Sequence, residues 1–114
     1  MFSGHSRAQF RPTAPRIDRL AIAAMGVALV VYRLTLAPDL TWANAASDGG
    51  ELITASVTLG VAHPPGYPTY LLLGKLFSFL PLGTVAFRYN LFSAVCAAIA
   101  TGLLAAAIQE FWRP

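Results

Sequence analysis

Two uncharged stretches and a proline-broken middle organise this chain. Leu20 to Tyr32 runs thirteen residues without a charge, and Ile17 to Leu36 covers 20 residues with Arg19 and Arg33 near its ends. A helix of that length is roughly 30 Å long at about 1.5 Å per residue, the thickness of a bilayer's hydrocarbon core. Leu91 to Ile108 is likewise uncharged and rich in alanine, a small residue that lets membrane helices approach closely. The pattern predicts transmembrane helices over 20–36 and 90–110. The flanking arginines, Arg19, Arg33, Arg88 and Arg113, would keep their stems in hydrocarbon and their guanidinium groups among headgroups.

Between the spans, Ala37 to Ser47 contains Pro38, Asp39, Trp42 and Asn44, an exit turn with an aromatic interfacial anchor. A helix is expected near 49–60, with Glu51, Thr54, Ala55 and Thr58 on one face and Leu52, Val57 and Leu59 around the other. It must end before Pro64, Pro65, Gly66 and Pro68, because three prolines and a glycine within five residues allow no continuous hydrogen-bond ladder. A second short helix near 69–80, about 18 Å long, cannot cross the core and suits a re-entrant or interfacial position. The predicted class is all-α and integral to a membrane: two transmembrane helices flank an exterior loop, residues 37–89, with two short juxtamembrane or re-entrant helices.

Composition agrees. Hydrophobic residues make up 56% and charged residues 11%, against about 25% charged in a soluble domain, and the mean hydropathy is +0.59. Such a chain is too apolar for a solvated coil, and Cys96, the single cysteine, excludes a disulfide scaffold. The net charge of +3 is a topology signal and not a nucleic-acid signal, since four of the eight basic residues, Arg7, Arg11, Arg16 and Arg19, precede the first span. They hold the arm 1–19 in the cytoplasm, and two spans return the tail 111–114 to the same side; counting 69–80 as a third span would place the tail outside. A cleaved signal peptide is the rival reading, through Ala43-Asn44-Ala45, but its basic region is long and the cleavage motif lies well beyond the apolar run.

The candidate chemistry begins at Asp48-Gly49-Gly50-Glu51. Carboxylates three apart at a helix start can share a face, or they can be an N-cap and its reciprocal partner. The two glycines, each costing about 1 kcal/mol in a helix, suggest close approach to the backbone. Lys75, Arg88 and His63 are the basic residues between Arg33 and the second span. Each also has an ordinary role, as snorkelling side chains or a turn histidine. No nucleophile motif, phosphate loop or metal-ligand spacing occurs, so no metal site and no cofactor are expected.

Ser47-Asp48-Gly49-Gly50-Glu51-Leu52, the run from Thr58 to Pro68 that contains His63-Pro64-Pro65-Gly66-Tyr67-Pro68, Leu73-Gly74-Lys75-Leu76-Phe77-Ser78 and Arg88-Tyr89-Asn90-Leu91 resemble the N-terminal signature of glycosyltransferase family 117, the protein O-mannosyltransferase-like proteins. The resemblance covers roughly residues 32–108. It implies the start of a GT-C fold: a multi-pass membrane hexosyltransferase that moves a sugar from a polyprenyl-phosphate carrier to an acceptor hydroxyl on protein or glycan. It implies that Asp48 is the acidic catalytic residue, a general base toward the acceptor hydroxyl, with Glu51 beside it as a second catalytic carboxylate. It also implies that His63, Pro64, Pro65 and Tyr67 shape the donor pocket. A donor phosphate would need a cation, and Lys75, which interrupts an apolar helix at headgroup depth, is the substrate-binding residue expected from its position, with Arg88 at the exit of the loop as the other. Two departures stand out: the family usually has Asp-Ser-Gly-Glu where this chain has Asp48-Gly49-Gly50-Glu51, and its members are several times longer.

A chain of 114 residues is therefore expected to be the N-terminal segment of a transferase, inactive alone, in a bacterial cytoplasmic membrane with its N-terminus in the cytoplasm. The alternative is a small membrane scaffold or accessory subunit in which the acidic pair only caps a helix.

Overall fold

The computed structural model describes residues 18–41 and 48–112. Arg7, Arg11, Arg16, Arg113, Trp42 and the Ala43-Asn44-Ala45 motif lie outside the described residues. Within them the chain is all-helical, with no strand: α1 is Arg19–Thr35, α2 Gly49–Thr58, α3 Pro68–Ser78 and α4 Val85–Phe111.

Asp18 starts α1, its Oδ1 accepting the N–H groups of Leu20 and Ala21 at 3.0 and 3.1 Å and so satisfying two otherwise orphaned donors. The helix stops at Leu36, which is extended, one residue before Ala37, where the ring of Pro38 disfavours helical angles. Its 17 residues make about 25 Å. The 27 residues of α4 make about 40 Å, and among the described residues α4 is the one helix long and apolar enough to cross a membrane. It begins at Val85 and not at position 90, because Thr84 caps it: the hydroxyl accepts the Phe87 N–H at 3.1 Å and donates to Pro38 O at 3.1 Å. Arg88 therefore sits in the first turns of α4 and not in the preceding loop.

α1 and α4 lie antiparallel. Arg33 stacks over the Phe87 ring, 5.5 Å to its centroid, and the Asn90 side-chain amide donates to Ala37 O at 3.0 Å. At the other end, a Cβ on Gly102 would meet Met25 Cβ at 3.0 Å and Ala21 O at 3.2 Å. The seam is Ala94, Ala98, Gly102 and Ala106 against Ala21, all buried. Small residues four apart form a flat stripe along one helix face, which brings two backbones together. The outward faces carry Ile22, Val27, Val30, Leu103, Leu104 and Ile108, each about half exposed or more. Those apolar faces are what a lipid-exposed helix presents.

α2 and α3 form a smaller unit against the start of α4. α2 ends at Leu59 in the left-handed conformation, φ 55°, with Gly60 N–H bonded to Ala55 O at 2.8 Å. Pro68 opens α3 at a first-turn position, where its missing N–H costs nothing. Ala55, Ala62 and Leu71 form the core between the two helices, with Leu52 and Tyr70 packed on it. Gly74 lets α3 rest directly on the Tyr89 ring of α4, since any Cβ there would collide with it.

Candidate functional site

The two carboxylates of the acidic pair have different surroundings. Asp48 stands at the N-cap of α2 but adopts helical angles, φ −61° and ψ −7°, and its side chain makes no cap hydrogen bond. Capping residues normally sit in the extended region so that the side chain can fold forward onto the free N–H groups; from helical angles it cannot. The capping box that the spacing allowed does not form, and Asp48 is exposed.

Glu51, one turn on, reaches away from the helix end to His63. Its Oε1 accepts the His63 backbone N–H at 2.8 Å, and its Oε2 lies 3.0 Å from His63 Nδ1. The backbone N–H, then the imidazole, hold the Glu51 carboxyl below its usual value of 4.5, against a smaller opposing effect of desolvation. One side chain thus ties α2 to the proline turn twelve positions later.

That turn is closed by Gly66 N–H to His63 O at 2.8 Å, and its Pro64–Pro65 peptide bond is cis. Gly66 has φ 84° and Tyr67 φ 47°. The Tyr67 ring stands edge-on to the imidazole, 5.3 Å between centroids at 68°. His63 and Tyr67 are therefore brought together with Glu51, while Pro64 and Pro65 remain exposed on the turn.

Beside this cluster are two adjoining cavities. One of about 400 Å³ is lined by Gly50, Glu51, Thr54 and Thr58; the other, of about 480 Å³, is lined by Leu59, Pro65, Leu71 and Leu72. Gly60 and Val61 border both. Gly50 leaves open space where a Cβ would stand, so no described residue accounts for that glycine.

The two cations expected to bind substrate are both engaged with the backbone. Lys75 donates from Nζ to Val57 O at 2.5 Å, within the last turn of α2, where carbonyls lack intrahelical donors and a cation is favoured. It also lies 5.4 Å from the centroid of the Phe79 ring. Arg88 donates to Leu82 O, Ser78 O and Gly83 O at 2.8, 2.6 and 3.3 Å, binding the end of α3 and the following turn to α4. It is remote in the fold from the Glu51–His63 contact, being tied to the opposite end of α3.

Sequence reasoning assigned nothing to Ser56. It is fully buried, donates to Leu71 O at 2.5 Å and accepts the Tyr89 hydroxyl at 2.6 Å, linking α2, α3 and α4 in one chain of bonds. A lone serine between Ala55 and Val57 was the available signal, since a hydroxyl on a buried face needs partners. Among the described residues no group of histidine, cysteine, aspartate and glutamate could hold a metal ion.

The model of the protein O-mannosyl-transferase TMEM260 N-terminal domain matches residues 48–114, more than half of the chain, beginning at Asp48. The chain belongs to this family. The protein O-mannosyl-transferase TMEM260 of Mus musculus is 44% identical over 87 residues, which are 75% of this chain and 12% of that protein. The protein of the same name from Dictyostelium discoideum is 37% identical over 75 residues, 63% of this chain and 9% of that protein. The chain thus spans about a tenth of the length of these relatives. Both are eukaryotic and give no support to the bacterial setting expected from the sequence. No solved structure matches the chain.

Proposed function

We propose that this chain is the N-terminal-domain segment of a membrane mannosyltransferase that uses a polyprenyl-phosphate sugar, with Asp48 as general base toward a protein hydroxyl. The observation that carries the reading is the state of Asp48: an exposed carboxylate at the start of α2 with no cap bond to make, two positions before the Gly50 that borders a cavity. In the step, the acceptor oxygen forms a bond to the sugar's anomeric carbon. The bond from that carbon to the phosphate oxygen breaks, its electron pair leaves with the phosphate, and the hydroxyl proton passes to Asp48. A base on the face opposite the leaving group fits inversion.

In this reading α1 and α4 cross the membrane, residues 37–89 lie outside with the first turns of α4, and both termini face the cytoplasm, as the arginines before Leu20 favour. The turn from His63 to Pro68 forms part of the donor pocket. Lys75 is the cation for the donor phosphate: an ammonium has three donors, and Val57 O takes one. Arg88, with three bonds to backbone carbonyls, is the weaker candidate.

The test is Asp48→Asn in a chimera in which residues 48–114 replace the matching stretch of the full-length mouse relative. Asparagine is nearly isosteric and still caps helices but takes no proton. Loss of a well-placed general base lowers transfer about 100- to 10,000-fold with unchanged expression and membrane insertion. Transfer at the parent rate would remove Asp48 from the chemistry.

A further inference from the structure

We propose that Glu51 is a positioning residue that locks the His63 imidazole in one tautomer, and that His63 Nε2 accepts a hydrogen bond from a hydroxyl of the transferred sugar. The identity of the ligand rests on the mannosyltransferase reading above; the tautomer rests on geometry alone.

Both Glu51 oxygens are committed to His63, one to its backbone N–H at 2.8 Å and one to Nδ1 at 3.0 Å. An ionised carboxylate can only accept, so Nδ1 must carry the proton. With no second proton on the ring, the lone pair is on Nε2. That nitrogen bonds to no described residue, and the side chain is 36% exposed. The Tyr67 ring against its edge and the turn closed at Gly66 restrict the imidazole further. A carboxylate that fixes one ring nitrogen in order to present the other is a recurrent device for aiming histidine.

The chemistry of an outward lone pair selects its partner. Phosphate oxygens are acceptors and would meet both that lone pair and the nearby Glu51 charge, so a singly protonated ring does not take the donor's phosphate. The acceptor hydroxyl has one proton, which goes to Asp48. Sugar hydroxyls remain, and each has a proton to donate. Glu51 is then not a second catalytic carboxylate, because its oxygens are spent on holding His63.

The tautomer is measurable without activity. The chain has two histidines, so ¹⁵N spectra of histidine-labelled chain in detergent micelles, assigned by loss of one signal set in His63→Asn, report each ring nitrogen. Glu51 predicts Nδ1 protonated and Nε2 bare. Glu51→Gln has one acceptor oxygen for two donors; with that oxygen on the backbone N–H, its NH₂ faces Nδ1 and drives the proton to Nε2. A native chain already protonated at Nε2 overturns the proposal.

Activity in the chimera supplies the second arm. Asparagine at 63 keeps an N–H in the place of Nδ1 but has nothing in the place of Nε2, so it preserves the link to Glu51 and removes the sugar contact. We expect kcat/KM for the donor to fall about 3- to 10-fold, the worth of one neutral hydrogen bond. Glu51→Gln should fall by a similar factor and cost nothing further in the His63→Asn background, since the two act as one unit. Parent-level kcat/KM in His63→Asn, or full additivity, would refute the role of Nε2. Failure of the mannosyltransferase reading looks different: Asp48→Asn would retain the parent rate while the tautomer result stood.

Discussion

The α1–α4 hairpin and the α2–α3 unit are held by opposite means. Along the hairpin seam the contacts are Ala21, Ala94, Ala98, Gly102 and Ala106, and at its mouth hydrogen bonds run from Thr84 and Asn90 to the segment after α1. The smaller unit is joined by polar groups throughout its length: Glu51 to the proline turn, Ser56 to Leu71 and Tyr89, and Lys75 to the end of α2. Among the described residues that seam buries only alanines and a glycine. The smaller unit exposes two carboxylates and an imidazole beside open space. A seam of small residues suits a bilayer, where lipid tails are as apolar as side chains and association depends on close approach. A polar lattice suits a site whose groups must be aimed.

Filling the seam should damage the hairpin alone, and most severely. Gly102→Leu drives a side chain into Met25 and the Ala21 carbonyl, and overpacking of this kind costs about 1–3 kcal/mol. A cysteine pair across α1 and α4, in a Cys96→Ala background, should lose its crosslinking, while His63 keeps its tautomer. Gly74→Val is the matching test of the other unit: it should cost a similar amount by displacing Tyr89, and should change His63 while leaving the hairpin crosslink intact.

Tyr89→Phe is gentler. It removes the donor to Ser56 but leaves the serine its bond to Leu71 O, so no buried donor is orphaned and the loss should be about 0.5–1.5 kcal/mol in denaturant. Thr84→Ala, which uncaps α4 and releases Pro38 O, should cost about 1 kcal/mol and fray the mouth of the hairpin, read as faster amide exchange at Val85 to Phe87.

The smallest effect is acid sensitivity. Because the folded carboxyl of Glu51 is held below 4.5, its contribution is fully present above that value and is lost as pH falls through the lower folded one. Protection of the His63 amide should be flat with respect to Glu51 titration near neutrality and fall only in acid. Glu51→Gln should abolish that acid limb.

Much of this contrast was legible in the sequence. The apolar runs marked both long helices, and the small residues of the second pointed to close helix packing without saying which face would make it. Three prolines within five residues placed the break between α2 and α3. Less legible were features that depend on long-range partners. Thr84 extends α4 past Arg88 because its hydroxyl meets groups on both sides, and Ser56 matters only because Leu71 and Tyr89 converge on it. At the acidic pair, spacing allowed a cap or a shared face. What decided between them was the helical backbone of Asp48 and the distant His63, neither of which a three-residue spacing encodes.

The proposed division of labour gives Asp48 and Glu51, three positions apart, separate jobs. It is tested most directly by measuring mannosyl transfer in the chimera for Asp48→Asn and Glu51→Gln side by side. Asp48→Asn should lower kcat by about 100-fold or more, and Glu51→Gln should lower kcat/KM for the donor by about 3- to 10-fold with catalysis retained. Equal losses in the two variants, or parent-level transfer by Asp48→Asn, would contradict the account.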